Sequence, residues 1–249
     1  MLPLFKSHFS IGKSILTLEK DSKRSIFSLA SSSELEELIL VEDSLIGFLE
    51  ARKTSKDLGI DLRFGLRVSM GNGSLFSESL KNEDNCVHKV IVFAKNSEGC
   101  KILNKIYSNA FCEGNGVLNE SFLRNIWEED CLKLAIPFYD SFIYNNTVLF
   151  ASCMPDLDFT KPTFFVEDNG LPVDFLVTPE VESYCSKHSL ETIKAKSIYY
   201  PNRNDFLAYQ TYKCICNRTY QSRTLDKPNF DHQGSDKFCF EEWKEQVKQ

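Results

Sequence analysis

The sequence predicts an α/β fold with mainly parallel strands. Short apolar runs with strand character alternate along the chain with amphipathic segments of helical character, which is the rhythm of α/β proteins. The composition is that of a globular protein, with 42% hydrophobic and 26% charged residues, and 249 residues are enough to bury a sizeable core. Neither an internal repeat nor a change in composition marks a boundary, so we expect a single domain over residues 1–249.

The N-terminal quarter predicts strand, loop, strand and helix. The opening segment LPLFKSHFSIG indicates a strand followed by a loop, and residues 34–41 begin like a helix and end in the apolar strand LILV. Residues 42–59 predict a helix, because Gly59 fits the C-cap and acidic residues lie at the start. The apolar stripe of this helix would consist of Leu45, Ile46, Leu49 and Ala51.

The centre of the chain continues this alternation. Residues 60–68 predict a strand, and 70–86 predict a surface loop because they are rich in Gly, Ser, Asn and acids. Residues 88–94 predict a buried strand. The segment after it predicts an amphipathic helix, with one face formed by Ile102, Leu103, Ile106 and Tyr107.

The C-terminal half is less regular. Residues 127–140 indicate a helix-to-strand step, 145–154 a strand, and 164–177 one or two further strands. The remaining elements are a helix at 178–192, a strand at 194–200, a helix at 205–217, and a C-terminal extension at 228–249 that ends in a short helix.

Charge and cysteine content exclude several classes of protein. The net charge of −6 does not favour strong direct binding to nucleic acid. The sequence has neither an apolar run long enough to span a membrane nor a signal-peptide core, so we expect a cytoplasmic protein without membrane contact. Nine cysteines at scattered spacing, without a CxxC pair, predict reduced and mostly buried thiols and not a zinc site.

Four segments resemble one known family in order and at about its spacing. FKSHFSIGKSIL, GFLEARKTSKDLGIDLRFGLRV, HKVIVFAKNSEGCKILNKIYSNAF and SIYYPNRNDFLAYQTYKCICNRT are similar to stretches of the polymerase-and-histidinol-phosphatase (PHP) domain of bacterial DNA polymerase III alpha subunits. The matching positions are His8, Ser10, Gly47, Ala51, Lys56, Gly59, Ile60, Gly65, Ala94, Lys95, Asn96, Glu98, Gly99, Leu103, Ser108, Tyr200, Asn202, Asp205, Ala208 and Thr219.

The resemblance implies a PHP-type distorted (β/α)7 barrel whose ligands at strand ends hold up to three metals for phosphoester hydrolysis. In this chain the family's H-x-H motif becomes Lys6-Ser7-His8, and its strand-end Glu becomes Arg67. The T-D-H motif falls on Glu42 or, with a shift of two residues, on Asp43. The remaining positions, for the mid-domain His and the C-terminal D-x-H, are Lys89 (or His88 with a shift of one), Ser197 and Tyr199.

Most of the family's ligands are therefore replaced, and at best His8, Asp43 and His88 persist. We predict a vestigial site without catalytic residues, metal or cofactor, since losing several direct ligands should abolish metal binding. We expect the cations at these positions to neutralise leftover acids such as Glu42, with a phosphate pocket as the alternative. His8 is predicted to be a hydrogen-bonded structural residue, and His88 an exposed residue at a strand entrance.

Three functions are compatible with this interpretation. The resemblance favours a non-catalytic, replication-associated scaffold that binds a replisome protein, such as a polymerase or a proofreading exonuclease. A free-standing copy of this kind would suit a small replicon such as a phage. The alternatives are a residual metal-dependent phosphoesterase or exonuclease, and a structural or virion-associated protein that reuses the fold.

Overall fold

The computed structural model of the chain describes residues 1–71, 87–216 and 234–248. Its strands are β1 (Leu2–Phe5), β2 (Glu37–Glu42), β3 (Asp61–Gly71), β4 (Val87–Ala94), β5 (Val117–Asn119), β6 (Leu132–Ile136), β7 (Thr163–Val166) and β8 (Glu191–Ile198). Its α-helices are α1 (Ile26–Ser31), α2 (Phe48–Leu58), α3 (Ser97–Ser108), α4 (Glu120–Ile126), α5 (Phe142–Val148), α6 (Asp174–His188), α7 (Phe206–Cys216) and α8 (Phe240–Lys248). A π-helical turn follows α3, and a 3-10 turn precedes α7.

The chain divides into two compact units. Unit 1 comprises Met1–Phe64, Glu167–Leu171 and Lys194–Gln249, and unit 2 comprises Gly65–Val166 and Pro172–Ile193. Unit 1 is thus assembled from three separate stretches of sequence, whereas unit 2 comes mostly from one.

Unit 1 contains parallel strands with helices, which confirms the predicted α/β class. Strand β1 pairs in parallel with β2, where Phe5 lies opposite Leu40, and with β8, where Phe5 lies opposite Ile198. Side chains of Phe5, Leu40 and Ile198 are fully buried. The carboxyl ends of all three strands therefore meet at one edge.

Unit 2 contains a mixed sheet, and the prediction of mainly parallel strands does not extend to its centre. Strand β4 runs antiparallel to both β3 and β6. Strand β5 pairs in parallel with β3, and β7 pairs in parallel with β6. Consecutive strands such as β3 and β4 can pair antiparallel without a crossover helix, so the strand-helix rhythm of the sequence did not reveal this pairing.

The predicted helical stripes had different outcomes. In α3, Ile102, Leu103 and Ile106 are buried as predicted, and Asn96 caps the helix by accepting a hydrogen bond from the Gly99 amide. In α2 only Ala51 of the predicted stripe is buried within the helix. Ile46 and Leu49 are 67% and 77% exposed, so that part of the stripe was wrong.

The segment predicted as a strand over 145–154 is not a strand. Helix α5 occupies Phe142–Val148, and the Ser141 hydroxyl begins it by accepting a hydrogen bond from the Tyr144 amide. Burial of Phe142, Ile143 and Tyr144 stabilises this helix. Tertiary packing here outweighs the local preference of an apolar run for strand structure. Residues 164–177 likewise form the end of one strand and the start of α6 instead of two strands.

The C-terminal helix α8 packs into unit 1. The Phe240 ring lies 5.8 Å from the Phe5 ring, and the Trp243 indole Nε1 donates a 3.1 Å hydrogen bond to the Met1 carbonyl oxygen. The Arg203 guanidinium pairs with Glu242 and Glu245 on the same helix. The short helix predicted for the C-terminal extension is confirmed; the start of that extension lies outside the described residues, as do Thr219 and most of the predicted 70–86 loop.

Over the described ranges, every helix is too short or too polar to cross a membrane.

Candidate functional site

The predicted site residues of unit 1 gather at the carboxyl ends of its parallel strands. Lys6 directly follows β1, Glu42 ends β2, and Ser197 lies opposite Leu4 near the end of β8. Strand order brings these positions together, although Ser197 lies 191 positions after Lys6 in the sequence.

Glu42 is the centre of the first polar cluster. Its side chain is fully buried, and one carboxylate oxygen accepts a 2.8 Å hydrogen bond from the Ser7 amide. The other oxygen accepts from the Ser10 hydroxyl, which in turn accepts a 2.9 Å hydrogen bond from the Asp43 amide. Burial raises the pKa of Glu42, while the nearby Lys6 ammonium and the serine hydrogen bonds oppose that rise.

Lys6 supplies the positive charge of this cluster. Its ammonium lies 2.8 Å from the Asp43 carboxylate, and only 6% of its side chain is exposed. The same ammonium stabilises the charged form of Glu42 electrostatically. Lys6 thus forms an ion pair with Asp43 and lies near enough to Glu42 to act on it electrostatically.

Glu167 is the centre of a second cluster that the sequence analysis missed. It follows β7 and is buried, and its carboxylate accepts 2.8 Å hydrogen bonds from both the amide and the hydroxyl of Ser197. The Asn169 side chain donates a third hydrogen bond, of 3.0 Å. Burial raises the pKa of Glu167 against these hydrogen bonds. An acid placed directly after the apolar run TFFV was the signal that could have identified it.

A buried lysine accompanies Glu167, as Lys6 accompanies Glu42. The Lys196 ammonium is fully buried and donates a 2.9 Å hydrogen bond to the Asp168 carbonyl oxygen. Burial lowers the pKa of Lys196, and the negative charges of Glu242 and Glu167 oppose this. Glu42 and Glu167 are thus each matched by hydrogen-bond donors and by a nearby lysine of the same unit.

His8 and Tyr199, the other two predicted positions of unit 1, pack against aromatic rings. The His8 ring is half-buried, and its centroid lies 4.3 Å from that of the tilted Phe9 ring. Its Nδ1 lies 3.3 Å from the Leu16 carbonyl oxygen. The Tyr199 ring stacks between Tyr209 and Phe238. Neither ring takes part in the hydrogen bonds around Glu42 or Glu167 described above.

In unit 2 the predicted positions lie on the antiparallel strands β3 and β4. The Arg67 guanidinium lies 2.6 Å from the Asp140 carboxylate, with 14% of the arginine side chain exposed. The Lys89 ammonium donates a 2.6 Å hydrogen bond to the Ser69 hydroxyl, and its amide donates to the Asp140 carbonyl oxygen at 2.8 Å. Asp140, in the turn between β6 and α5, thus pairs with the Arg67 side chain and accepts from the backbone amide of Lys89.

His88 is buried, so its prediction as an exposed residue was wrong. The ring is 3% exposed, lies edge-on to Phe142, and places Nδ1 3.6 Å from the Cys153 sulfur. Burial lowers the pKa of His88 to about 4, so the imidazole is neutral at physiological pH.

The predicted reduced state does not hold at Cys153. Cys153 is disulfide-bonded. The prediction of reduced thiols is therefore wrong at this position. Cys112, Cys131, Cys185, Cys216 and Cys239 are free thiols.

Within the described part of the chain, no group of three or more His, Cys, Asp or Glu side chains has an arrangement that could hold a metal ion. No family model matches the sequence, and no curated protein matches it.

Proposed function

We propose that this chain is a PHP-like domain, related to the DNA polymerase III alpha subunit, that acts as a replication-associated binding or scaffold module and not as an enzyme. The finer architecture that belongs to this proposal is a distorted (β/α)7 barrel. Its site would be the vestige of a metal centre, and its partners would be a polymerase or a proofreading exonuclease.

The observation that carries the proposal is the internal pairing of the strand-end carboxylates. A metal binds a carboxylate through the oxygen lone pairs, and these lone pairs also accept hydrogen bonds. In unit 1, Glu42 uses them for Ser7 and Ser10, and Glu167 uses them for Ser197 and Asn169. Donors of the chain itself thus engage both oxygens of each carboxylate, through which a metal would have to be bound.

The substituted cation at the first motif position supports the same proposal. Lys6 pairs with Asp43 at 2.8 Å and lies near Glu42, where a metal would otherwise supply positive charge. A lysine ammonium supplies that charge without catalytic chemistry, because it cannot hold and activate a water molecule as a metal does. The family-like scaffold would be retained while hydrolysis is lost.

Several residues of the family resemblance have structural roles, which supports retention of a scaffold. Asn96 caps α3, and a side chain at Gly99 would place its Cβ only 2.2 Å from the Cys131 carbonyl oxygen. Gly59 ends α2 in the left-handed region, with φ of 69°. Asn202 and Asp205 form a capping box ahead of α7.

The proposal is tested by metal content and by binding to defined partners. We expect purified protein to carry no stoichiometric manganese, zinc or iron by elemental analysis. We expect the immobilised chain to retain either a purified polymerase III alpha subunit that lacks its own PHP domain or a purified proofreading exonuclease. A chain that retains neither protein at low salt would contradict the scaffold function.

The alternatives give different results in the same experiments. A residual phosphoesterase would contain stoichiometric metal and would hydrolyse p-nitrophenyl phosphate or single-stranded DNA, and His8→Ala would abolish the hydrolysis. A structural or virion-associated protein would self-associate stably, which light scattering would detect.

A further inference from the structure

Unit 1 contains a groove that lies away from the carboxylate clusters, between the end of α1 and one face of α8. Its volume is about 320 Å³, and it is lined by Ser32, Ser33, Glu34, Trp243, Lys244, Val247 and Lys248. The lining residues of α8 are spaced so that they fall on one side of the helix. Its shape and volume are those of an open cleft for a few side chains rather than an enclosed site for a small molecule.

The floor of the groove is apolar. The Trp243 indole is 5% exposed and held in place by its hydrogen bond to Met1, while Val247, one turn later, is 50% exposed. A rigid aromatic side chain beside an exposed aliphatic one is typical of the pocket that receives an apolar anchor residue.

The rim of the groove is positively charged. Lys244 and Lys248 lie one turn apart, and Glu34 is the acidic residue among the described lining residues. The Lys244 ammonium lies 5.8 Å above the Phe240 ring, and no salt bridge within the described ranges involves either lysine. In a chain of net charge −6, a cleft with two such lysines favours an acidic ligand.

The wall of the groove also contains a polar atom with no hydrogen bond. The Ser33 hydroxyl oxygen is buried, and no described residue serves as its partner.

We propose that this groove docks an acidic segment of a partner protein that also carries an apolar anchor side chain. The inference rests on the proposed function as a protein-binding module, and it names the surface and the chemistry of the partner. The anchor lies against Trp243 and Val247, and the acidic groups lie near Lys244 and Lys248.

The test uses Trp243 as an intrinsic fluorescent probe. The chain has two tryptophans, so Trp127→Phe leaves Trp243 as the sole tryptophan signal. We expect the acidic peptide acetyl-EELFDE-amide to change this fluorescence saturably and to bind about three- to tenfold more tightly than the neutral peptide acetyl-QQLFNQ-amide. Added salt should reduce that difference, because the lysines are near the surface.

Matched variants decide whether the groove is the site. Lys244→Gln with Lys248→Gln should abolish the preference for the acidic peptide, and Lys53→Gln with Lys56→Gln, the same charge change on α2, should preserve it. Lack of saturation, equal binding of the two peptides, or equal losses in both double variants would overturn the inference. Circular dichroism of each variant verifies that it is folded.

A binding assay with the purified partners separates this inference from the proposed function. If the wild-type chain and the Lys244→Gln/Lys248→Gln variant retain the same partner equally well, the groove inference fails and the scaffold function stands. If the wild-type chain retains neither partner, the scaffold function fails, and the peptide titration still decides whether the groove binds acidic segments.

Discussion

Two carboxylates at the strand ends of unit 1, Glu42 and Glu167, are enclosed, whereas the Arg67–Asp140 pair of unit 2 reaches towards solvent. Glu42, Glu167 and Lys196 are buried and receive or donate hydrogen bonds within unit 1. In unit 2 the Arg67–Asp140 pair is partly open, with 14% and 39% of the two side chains exposed. Parallel strands bring all their carboxyl ends to one edge. Antiparallel strands alternate in direction, so fewer of their carboxyl ends lie side by side.

This difference shows what a buried polar cluster requires that a partly exposed one does not. A buried charge is tolerated only when it is paired and hydrogen-bonded, so unit 1 requires a complete set of donors. A pair near the surface can rely on water instead, so its geometry is less constrained. We therefore expect substitutions in unit 1 to be costly and equivalent substitutions in unit 2 to be mild.

The largest expected effect concerns Glu167. Glu167→Ala leaves the Ser197 and Asn169 donors unpaired and removes a negative charge near Lys196, so we expect the free energy of unfolding to fall by about 3–5 kcal/mol. Urea denaturation measures the change. Asp168→Asn, at the exposed neighbouring residue, is the control and should change it by less than about 0.5 kcal/mol. Equal effects of the two substitutions would remove the distinction between buried and exposed acids.

A pH series sharpens the comparison, because the contributions of His88 in unit 2 and of the buried glutamates in unit 1 to stability change in opposite directions with pH. The pKa of buried His88 falls from the ordinary 6.5 to about 4, so its stabilising contribution is present above pH 6.5 and is lost as the pH falls towards 4. The raised pKa values of Glu42 and Glu167 mean the reverse: stability falls as the pH rises above the ordinary carboxyl value through the raised one.

The measurement compares the wild type with His88→Leu at pH 7.5 and pH 4. Since carboxyl groups titrate in the same range, the quantity of interest is the difference between the two proteins. We expect the wild type to lose about 2–4 kcal/mol more stability than the variant on acidification. Parallel pH dependence of the two proteins would show that His88 is not buried in its neutral form.

An intermediate effect is expected at Ser10. Its hydroxyl donates to Glu42 and accepts from the Asp43 amide, so Ser10→Ala leaves a buried acceptor and a donor unmatched. We expect a loss of about 1–3 kcal/mol in chemical denaturation. Ser44→Ala, at a neighbouring half-buried serine, should be nearly neutral, and a loss as large as that of Ser10→Ala would argue against a specific role of the Glu42 cluster.

The smallest effect is expected at Asp140 in unit 2. Asp140 has a φ of 61°, and asparagine tolerates this left-handed conformation, so Asp140→Asn changes the charge with little strain. We expect a loss of no more than about 1 kcal/mol that diminishes as salt is added. A loss comparable to that of Glu167→Ala would contradict the proposed contrast between the units.

The sequence predicted local features well and tertiary partners poorly. The buried face of α3 and the C-cap at Gly59 follow from spacing and from backbone conformation, which a single segment determines. The exposure of Leu49 and the helix at Phe142–Val148 depend on which surfaces meet in the folded chain. A local sequence pattern does not specify which surfaces pack against each other in the folded chain.

The candidate site shows the same division. The motif positions that fell on Lys6, Glu42 and Asp43 could be located from sequence, and these residues do lie together. Glu167 was missed because its partner Ser197 is 30 residues away and occupied a position at which the family resemblance implied an acid. No spacing pattern in the sequence identifies a serine that donates a hydrogen bond to a buried carboxylate.

The discontinuous makeup of unit 1 has a consequence for its folding during synthesis. Trp243 donates to the carbonyl oxygen of Met1, 242 positions away, and β1 pairs with β8, so the first strand needs the last segments of the chain. Unit 2 derives mostly from Gly65–Val166 and has its pairing partners at short range. During synthesis on the ribosome, unit 2 can therefore assemble before β8 and α8 are available to pack against β1 and β2. The pairing of the first strand is therefore completed only when the end of the chain has been synthesised.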